Sequence, residues 1–309
     1  MTQVQADRIA KEYARRGMVH HTAALEVTER ELLRVYRSAA AELARRIDEI
    51  DDVSASSFLR KASQQVDEQI IRLTQRTQAI VARNLNRSVS QGLRDGEATL
   101  YATATSAVGR AAAVKTLGTP MGFDRLWSEA VQSLYGGTPG IELSPRIWEV
   151  ERTTLKSIQR YLAQSMASAR SRSEIVSHIR SFLLMPNVDM RTKAWRSFFE
   201  QNPPGRGVYR SAYKNVQRVL RTESNRAYRT ATQLYARQKS WATGVRWTLS
   251  AAHPKVDICD TLAAQDLYGM GAGVYPAGEA PDSGHPHCLC YLVVVYNLQA
   301  LGLGGAEAA

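Results

Sequence analysis

Cysteine is scarce in this sequence, and all of it lies in one segment. The chain has 309 residues but only three cysteines, Cys259, Cys288 and Cys290. An odd number excludes a framework in which every cysteine is paired in a disulfide. The segment 253–296 holds all three together with three of the six histidines. Clustered thiols and imidazoles in one segment indicate metal ligands more than a disulfide scaffold.

Long apolar runs are also missing. No run approaches the roughly 18 to 20 residues that are needed to span a bilayer. The first residues, MTQVQADRIAKEYARRG, have no apolar core of the kind that a signal peptide requires. We therefore expect no membrane partner and a chain that starts in a cytoplasm, where thiols stay reduced.

Nucleotide-binding and nucleophile motifs are absent as well. The sequence has no GxxxxGK[ST] loop and no GxGxxG after a strand, so nothing favours nucleotide binding. No local pattern resembles a nucleophile elbow or a protease box. We therefore expect no enzymatic activity and no small-molecule substrate.

Acidic residues are fewer than basic ones. The sequence has 29 Asp and Glu residues and 40 Lys and Arg residues, which gives a net charge of +11. Such a balance favours a polyanionic partner, either nucleic acid or an acidic protein surface. Basic residues recur at helical spacing in one stretch. This basic stripe consists of Arg210, Lys214, Arg218, Arg221 and Arg229. It is consistent with non-specific DNA contact and equally with a solvated helix face.

Glu223 is the single acid between residues 206 and 246. It lies three residues after Leu220 and four before Ala227, so helical geometry places it on the apolar face. A carboxylate there requires a partner. We expect a structural ion pair of Arg221 with Glu223, with Arg226 as another partner. A catalytic acid or a docking determinant is the alternative.

Apolar residues recur at intervals of three and four over most of the chain, which is typical of amphipathic helices. The fold predicted is mainly α with a small C-terminal α+β module. An elongated helical body precedes a β-hairpin-like unit that contains the Cys/His cluster, and Tyr291–Tyr296 is the strongest strand signal. The predicted regions are long helices over 1–118, a helical middle over 119–205, a basic helix plus Cys/His module over 206–301, and a disordered tail over 302–309.

Local signals refine the helix boundaries. One helix is predicted from Thr28 to about Ile50, and Ser54 is predicted to cap the next one. Ser173 is the expected cap of a later helix. The basic helix is predicted to run from Val208 to about Ala242.

The Cys/His cluster has the composition of a structural zinc site, which needs four Cys or His ligands in a tetrahedron. The expected ligands are Cys259, His285, Cys288 and Cys290, because His285 precedes Cys288 by one turn. His253 is the alternate fourth ligand. Two other interpretations stay open. The thiols pack a small β unit without metal, or Cys259 acts as a nucleophile with a histidine and an aspartate.

The order of these residues resembles the C-terminal signature of phage minor head proteins, the Mu protein F-like head morphogenesis family. The resemblance covers about residues 206–296. It rests on Arg221-Thr222-Glu223, Asn225, Trp247, Asp257-x-Cys259, a loop rich in glycine and proline, and His285-Pro286-x-Cys288-x-Cys290. Two positions depart from the family, since Leu289 stands where arginine is usual and Leu262 lies where many members carry another cysteine.

The resemblance implies a minor structural protein of a tailed-phage head, assembled in the host cytoplasm and retained in the virion. Its implied partners are the portal and capsid proteins, next to packaged DNA. Two alternatives stay open. A phage-encoded metal-dependent nuclease or hydrolase would use the same cluster with an open coordination position. A general nucleic-acid-binding protein would bind free DNA tightly with a steep salt dependence.

Overall fold

The chain is mainly α-helical with a small C-terminal α+β module, which confirms the predicted fold class. The structure is a computed structural model. It describes residues 1–51, 54–117, 124–135, 145–167, 171–184, 193–201, 203, 209–253 and 255–301. The predicted tail over 302–309 and the predicted boundaries near residues 118 and 205 lie outside these ranges. None of the described helices is both long enough and apolar enough to cross a membrane.

The elements follow one another as a long series of helices that ends in a sheet. The helices before the sheet are α1 (Gln3–Asp48), α2 (Ala55–Val108), α3 (Arg110–Leu117), α4 (Asp124–Tyr135), α5 (Pro145–Ala167), α6 (Arg172–Leu184), α7 (Lys193–Gln201) and α8 (Ala212–Arg237). The module adds β1 (Ala242–Thr248), α9 (Ile258–Ala264), β2 (Val274–Tyr275) and β3 (Tyr291–Tyr296).

The first helix is longer than predicted. It begins at Gln3 and not at Thr28, because small buried residues continue the apolar stripe toward the N-terminus. Ala6, Ala10 and Ala14 recur every four residues and are all buried. Alanine is the best helix former and lets a neighbour approach closely, so this stretch is helical without large apolar side chains.

The helix caps agree with one prediction and correct another. Ser54 Oγ accepts a hydrogen bond from the Ser57 N–H at 3.3 Å, which confirms the predicted cap of α2. The cap of α6 is Ser171 and not Ser173. Ser171 Oγ accepts from the Glu174 N–H at 3.3 Å, and Glu174 Oε2 accepts from the Ser171 N–H at 2.9 Å. The glutamate three residues after Ser171 completes a capping box, which decides between the two serines.

The sheet is antiparallel with the order β2-β1-β3. Trp247 pairs with Leu292 and Val245 with Val294, while Val245 also pairs with Tyr275 on the other side. The bounds of β3 are those predicted. The basic helix was predicted to reach Ala242 but ends at Arg237, because residues 242–248 pair along β3 and form the central strand.

The described chain divides into two compact units. Unit 1 comprises the described residues within 1–25, 83–142 and 221–309, and unit 2 comprises those within 26–82 and 143–220. The long helices α1, α2 and α8 contribute residues to both units, while the regions predicted from the sequence stay a prediction. All residues of the Cys/His module belong to unit 1.

Two glycines of α2 allow α8 to pack closely within unit 1. A Cβ atom at Gly92 would lie 2.5 Å from the carbonyl oxygen of Tyr228, and one at Gly96 would lie 2.7 Å from the ring of Tyr235. Real Cβ atoms do not approach other atoms so closely, so neither position has room for a side chain. This packing fixes the helix whose other face holds the Cys/His module.

Candidate metal centre

Three buried thiols meet at one point of the module. Cys259 lies in the first turn of α9, and Cys288 and Cys290 lie just before β3. Their Sγ atoms are all within 4.8 Å of one another, and those of Cys259 and Cys288 are 3.5 Å apart. Tetrahedral zinc with Zn–S bonds of about 2.3 Å would place its sulfur ligands about 3.8 Å apart. The three cysteines can therefore hold one metal ion.

His253 supplies the imidazole that faces this cluster. Its Nδ1 lies 4.0 Å from the Sγ of Cys290, and its Nε2 lies 2.9 Å from the Oδ2 of Asp260. The hydrogen bond to Asp260 raises the pKa of His253. A metal-binding histidine commonly presents one ring nitrogen to the ion and the other to a carboxylate, which fixes the ring orientation. His253 has this arrangement.

His285 is differently placed. Its Nε2 lies 3.1 Å from the Oδ2 of Asp257, and its Nδ1 lies 2.8 Å from the carbonyl oxygen of Pro286. One ring nitrogen is within 4.8 Å of the Cys259 thiol, but both nitrogens already face oxygen atoms. The geometry therefore favours His253, the alternate ligand, over His285 as the fourth ligand.

A capping box positions Cys259. Asp257 Oδ1 accepts from the Cys259 N–H at 2.8 Å, and Asp260 Oδ2 accepts from the Asp257 N–H at 2.8 Å. The N–H of Cys259 lowers the pKa of Asp257, and the N–H of Asp257 lowers that of Asp260. Both carboxylates are therefore charged at neutral pH. Asp260 thus orients both the helix that bears Cys259 and the ring of His253.

One face of α8 holds the segment 280–290 through its main chain. Four polar residues occupy this face at spacings of three, four and four, which align on one side of a helix. Thr222 Oγ1 accepts a hydrogen bond from the His287 N–H at 3.2 Å, and Asn225 Nδ2 donates one to the Cys288 carbonyl. The side-chain amide of Gln233 forms two hydrogen bonds with Ala280, one to its carbonyl and one from its N–H, each at 3.1 Å. The fourth is Arg229.

Arg229 is buried beside the thiols, with 1% of its surface exposed. Its Nε donates to the Asp282 carbonyl at 2.8 Å and its Nη1 to the Cys290 carbonyl at 2.7 Å. Nη1 also lies 3.7 Å from the Cys288 Sγ, and the guanidinium stacks 5.4 Å from the Trp247 ring centre. A buried cation is costly without a nearby anion. The cysteine sulfurs are the groups placed to supply that negative charge.

The thiols differ in their acidity. A hydrogen bond from Cys290, assisted by the charge of Arg229, lowers the pKa of Cys288 to about 4. Burial raises the pKa of Cys259 to about 12, and the bond to Cys288 raises that of Cys290. The thiol with the lowered pKa is thus the one that lies beside Arg229. A buried Cys259 with a raised pKa is poorly suited to act as a nucleophile.

The basic stripe is less accessible than predicted. The inclusion of Arg229 in a DNA-facing stripe was wrong, because its side chain is enclosed in the module. Arg210 is half-buried and lies 5.4 Å from the ring of Phe199, and Lys214 donates to Gln217 at 2.8 Å. Arg218 and Arg221 are also half-buried.

Glu223 is buried, as its position on the apolar face predicts, with 4% of its surface exposed. Its Oε2 lies 3.8 Å from the Nη1 of Arg226. Arg226 in turn contacts Asp282 at 3.1 Å. The ion pair that the structure describes for Glu223 is therefore with Arg226, while its predicted pair with Arg221 stays a prediction.

Comparison with family models, with curated proteins and with solved structures finds no match to this chain. The residues of the site therefore carry the functional argument themselves. Sequence reasoning missed Arg229 and Gln233 as part of the site. Their spacing of four residues from one another and from Asn225, along the face of α8 that also carries Thr222, was the available signal.

Proposed function

We propose that the protein is a minor structural component of a tailed-phage head whose C-terminal module is held together by one zinc ion. Its ligands would be Cys259, Cys288, Cys290 and His253. The observation that carries this proposal is the convergence of three buried thiols. One of them, Cys290, lies 4.0 Å from the Nδ1 of His253, whose second ring nitrogen is held by a carboxylate. Four protein ligands close a zinc coordination sphere, which is typical of structural and not of catalytic sites.

The charge of Arg229 supports zinc at this position. A zinc ion bound by three thiolates and one neutral imidazole has a net charge of −1. The buried guanidinium beside Cys288 balances that charge, so the assembled site is neutral. Neutrality matters because an uncompensated buried charge is strongly destabilising.

The role in head assembly rests on the order of the motif residues. Thr222 and Asn225 of the basic helix contact the main chain of His287 and Cys288. The two ends of the motif thus stabilise each other, as expected of a structural module. The proposed partners are the portal and capsid proteins. Non-specific DNA contact would involve Arg210, Lys214, Arg218 and Arg221, and the proposed location is the virion.

The two histidines give the sharpest test of the proposed ligand set. We expect His253→Gln to lower the zinc content from about one ion per chain to well below that value, because it removes a ligand. His285→Gln should retain the metal, since His285 binds Asp257 and Pro286. Elemental mass spectrometry of both purified variants measures the zinc content per chain and so decides which histidine is the fourth ligand. Loss of zinc from the His285 variant alone would identify His285 as the ligand.

Head association is tested by co-expressing the chain with the capsid and portal proteins of its own genome. We expect purified particles to contain a few copies of the chain, quantified by mass spectrometry. Its absence from the particles would contradict the assembly role. Metal-dependent cleavage of DNA by the purified chain would favour the nuclease. Tight binding of free duplex with a steep salt dependence would favour the general nucleic-acid-binding protein.

A further inference from the structure

A cleft of about 250 Å³ opens between α1 and α2 within unit 2. Its polar lining consists of Ser38 and Glu42 from α1 and of Gln69, Arg72 and Arg76 from α2. Leu73 supplies part of the apolar wall. The cleft involves no residue of the metal centre or of the basic stripe, so it is a separate feature of the molecule.

The charges of the cleft are unbalanced. The single carboxylate, Glu42, is already neutralised, since its Oε1 lies 2.6 Å from the Nε of Arg46 and 2.8 Å from the Nη2 of Arg45. Arg72 and Arg76 are exposed, and neither has an ion pair or hydrogen bond among the residues that the structure describes. Like charges four residues apart on a helix repel each other. An anion bound between them would turn this repulsion into attraction.

Gln69 provides a buried donor in the same lining. Its side chain is almost fully buried, at 6% exposed, and its Nε2 has no hydrogen-bond partner within the described part of the chain. Leaving such a donor unsatisfied is unfavourable, whereas an acceptor in the cleft would satisfy it. Gln69, Arg72 and Arg76 are spaced by three and four residues and so share one face of α2.

We propose that this cleft binds a phosphate oxyanion. The forked guanidinium groups of Arg72 and Arg76 match the geometry of phosphate oxygens. The Gln69 amide and the Ser38 hydroxyl add neutral donors. The volume is below that of pockets for drug-sized ligands, roughly 300 to 1,000 Å³, and admits one phosphate group with part of its substituent. A small phosphate compound and a backbone phosphate of DNA present the same chemistry to the cleft. Only the assignment of DNA as the ligand rests on the proposed function.

The test uses the full chain with two probes, inorganic phosphate in calorimetric titration and a labelled short DNA duplex in fluorescence anisotropy. The variant is Arg72→Gln/Arg76→Gln. The matched control, Arg87→Gln/Arg94→Gln, removes two exposed arginines from the same helix outside the cleft. We expect the cleft variant to bind phosphate at least about tenfold more weakly, since two charge-assisted contacts are lost. The control should bind it like the wild type.

The duplex distinguishes the two sources of phosphate. The ligand is a nucleic-acid backbone if three results are obtained together: the cleft variant loses DNA affinity, the control variant keeps it, and phosphate competes with the duplex. If phosphate binding depends on the cleft but DNA binding does not, the ligand is a small phosphate compound. Equal phosphate affinity in wild type and cleft variant, or no measurable binding by the wild type, would overturn the proposal. Neither result bears on association with phage particles, so the two proposals fail separately.

Discussion

Replacing Cys288 with serine should abolish zinc binding and strongly destabilise the C-terminal module. Cys288 lies 3.5 Å from the Cys259 thiol and 3.7 Å from Arg229, so it links the ligand set to its balancing charge. A serine hydroxyl is a poor zinc ligand at neutral pH, and its introduction leaves Arg229 buried without a thiolate beside it. Breaking a buried charge pair costs about 3 to 5 kcal/mol. Metal content by elemental mass spectrometry and thermal unfolding by circular dichroism measure both effects.

Chelation provides the independent control for this variant. Removing zinc from the wild-type protein with a strong chelator should lower its unfolding temperature toward that of Cys288→Ser, and should change the variant little. A wild-type protein that is purified without metal, takes up none and is insensitive to chelator would disprove the zinc site. The three thiols would then serve to pack the module, which is the alternative that the sequence leaves open.

Replacing Arg229 with methionine should have the second largest effect. Methionine keeps much of the apolar volume against Trp247 but removes the donors to the Asp282 and Cys290 carbonyls and the charge beside Cys288. We expect destabilisation by about 3 kcal/mol and weaker zinc binding, because a charged metal–thiolate group would be buried without compensation. Competition with a zinc indicator and chemical denaturation measure the two quantities.

Two further substitutions distinguish the effect of the charge of Arg229 on zinc binding and stability from the effect of perturbing α8 in general. Arg229→Lys keeps the positive charge but not the forked donor geometry, so it should retain zinc better than Arg229→Met while losing some stability. Arg237→Met removes an exposed arginine from the last turn of the same helix and should change neither quantity appreciably. If Arg229→Met retains wild-type zinc affinity and stability, charge compensation by this residue is refuted.

The helices and the last strand were predictable because their signals are local. Buried residues of α1 such as Leu32, Tyr36 and Leu43 recur at helical spacing, and β3 is a continuous run of strand-forming residues. The end of α8 was not predictable from helical periodicity, since pairing with β3 converts residues 242–248 into a strand. Such pairing joins residues about 50 positions apart, which local propensity does not report.

The sequence predicts that the three cysteines belong to one candidate metal centre, and they do lie together, but it does not predict how the histidines are arranged around them. Spacing favoured His285, one turn before Cys288, as the fourth ligand. The structure favours His253, because Asp260 both completes the capping box of α9 and orients the His253 ring. Arg229 fits the periodic spacing of the basic stripe in the sequence. Its burial depends on the distant segment 280–290 packing over it, which no local pattern reveals.

The contacts of α8 with the segment 280–290 have an evolutionary consequence. Thr222, Asn225 and Gln233 bind main-chain atoms of that segment, and Arg229 binds two of its carbonyls. Every amino acid presents the same carbonyl, and every one except proline the same N–H, so the segment can diverge at positions such as Leu289 without losing these bonds. The helix positions that make them should change far more slowly. Homologous chains should therefore be recognised more reliably by the polar positions of this helix than by the loop that it holds.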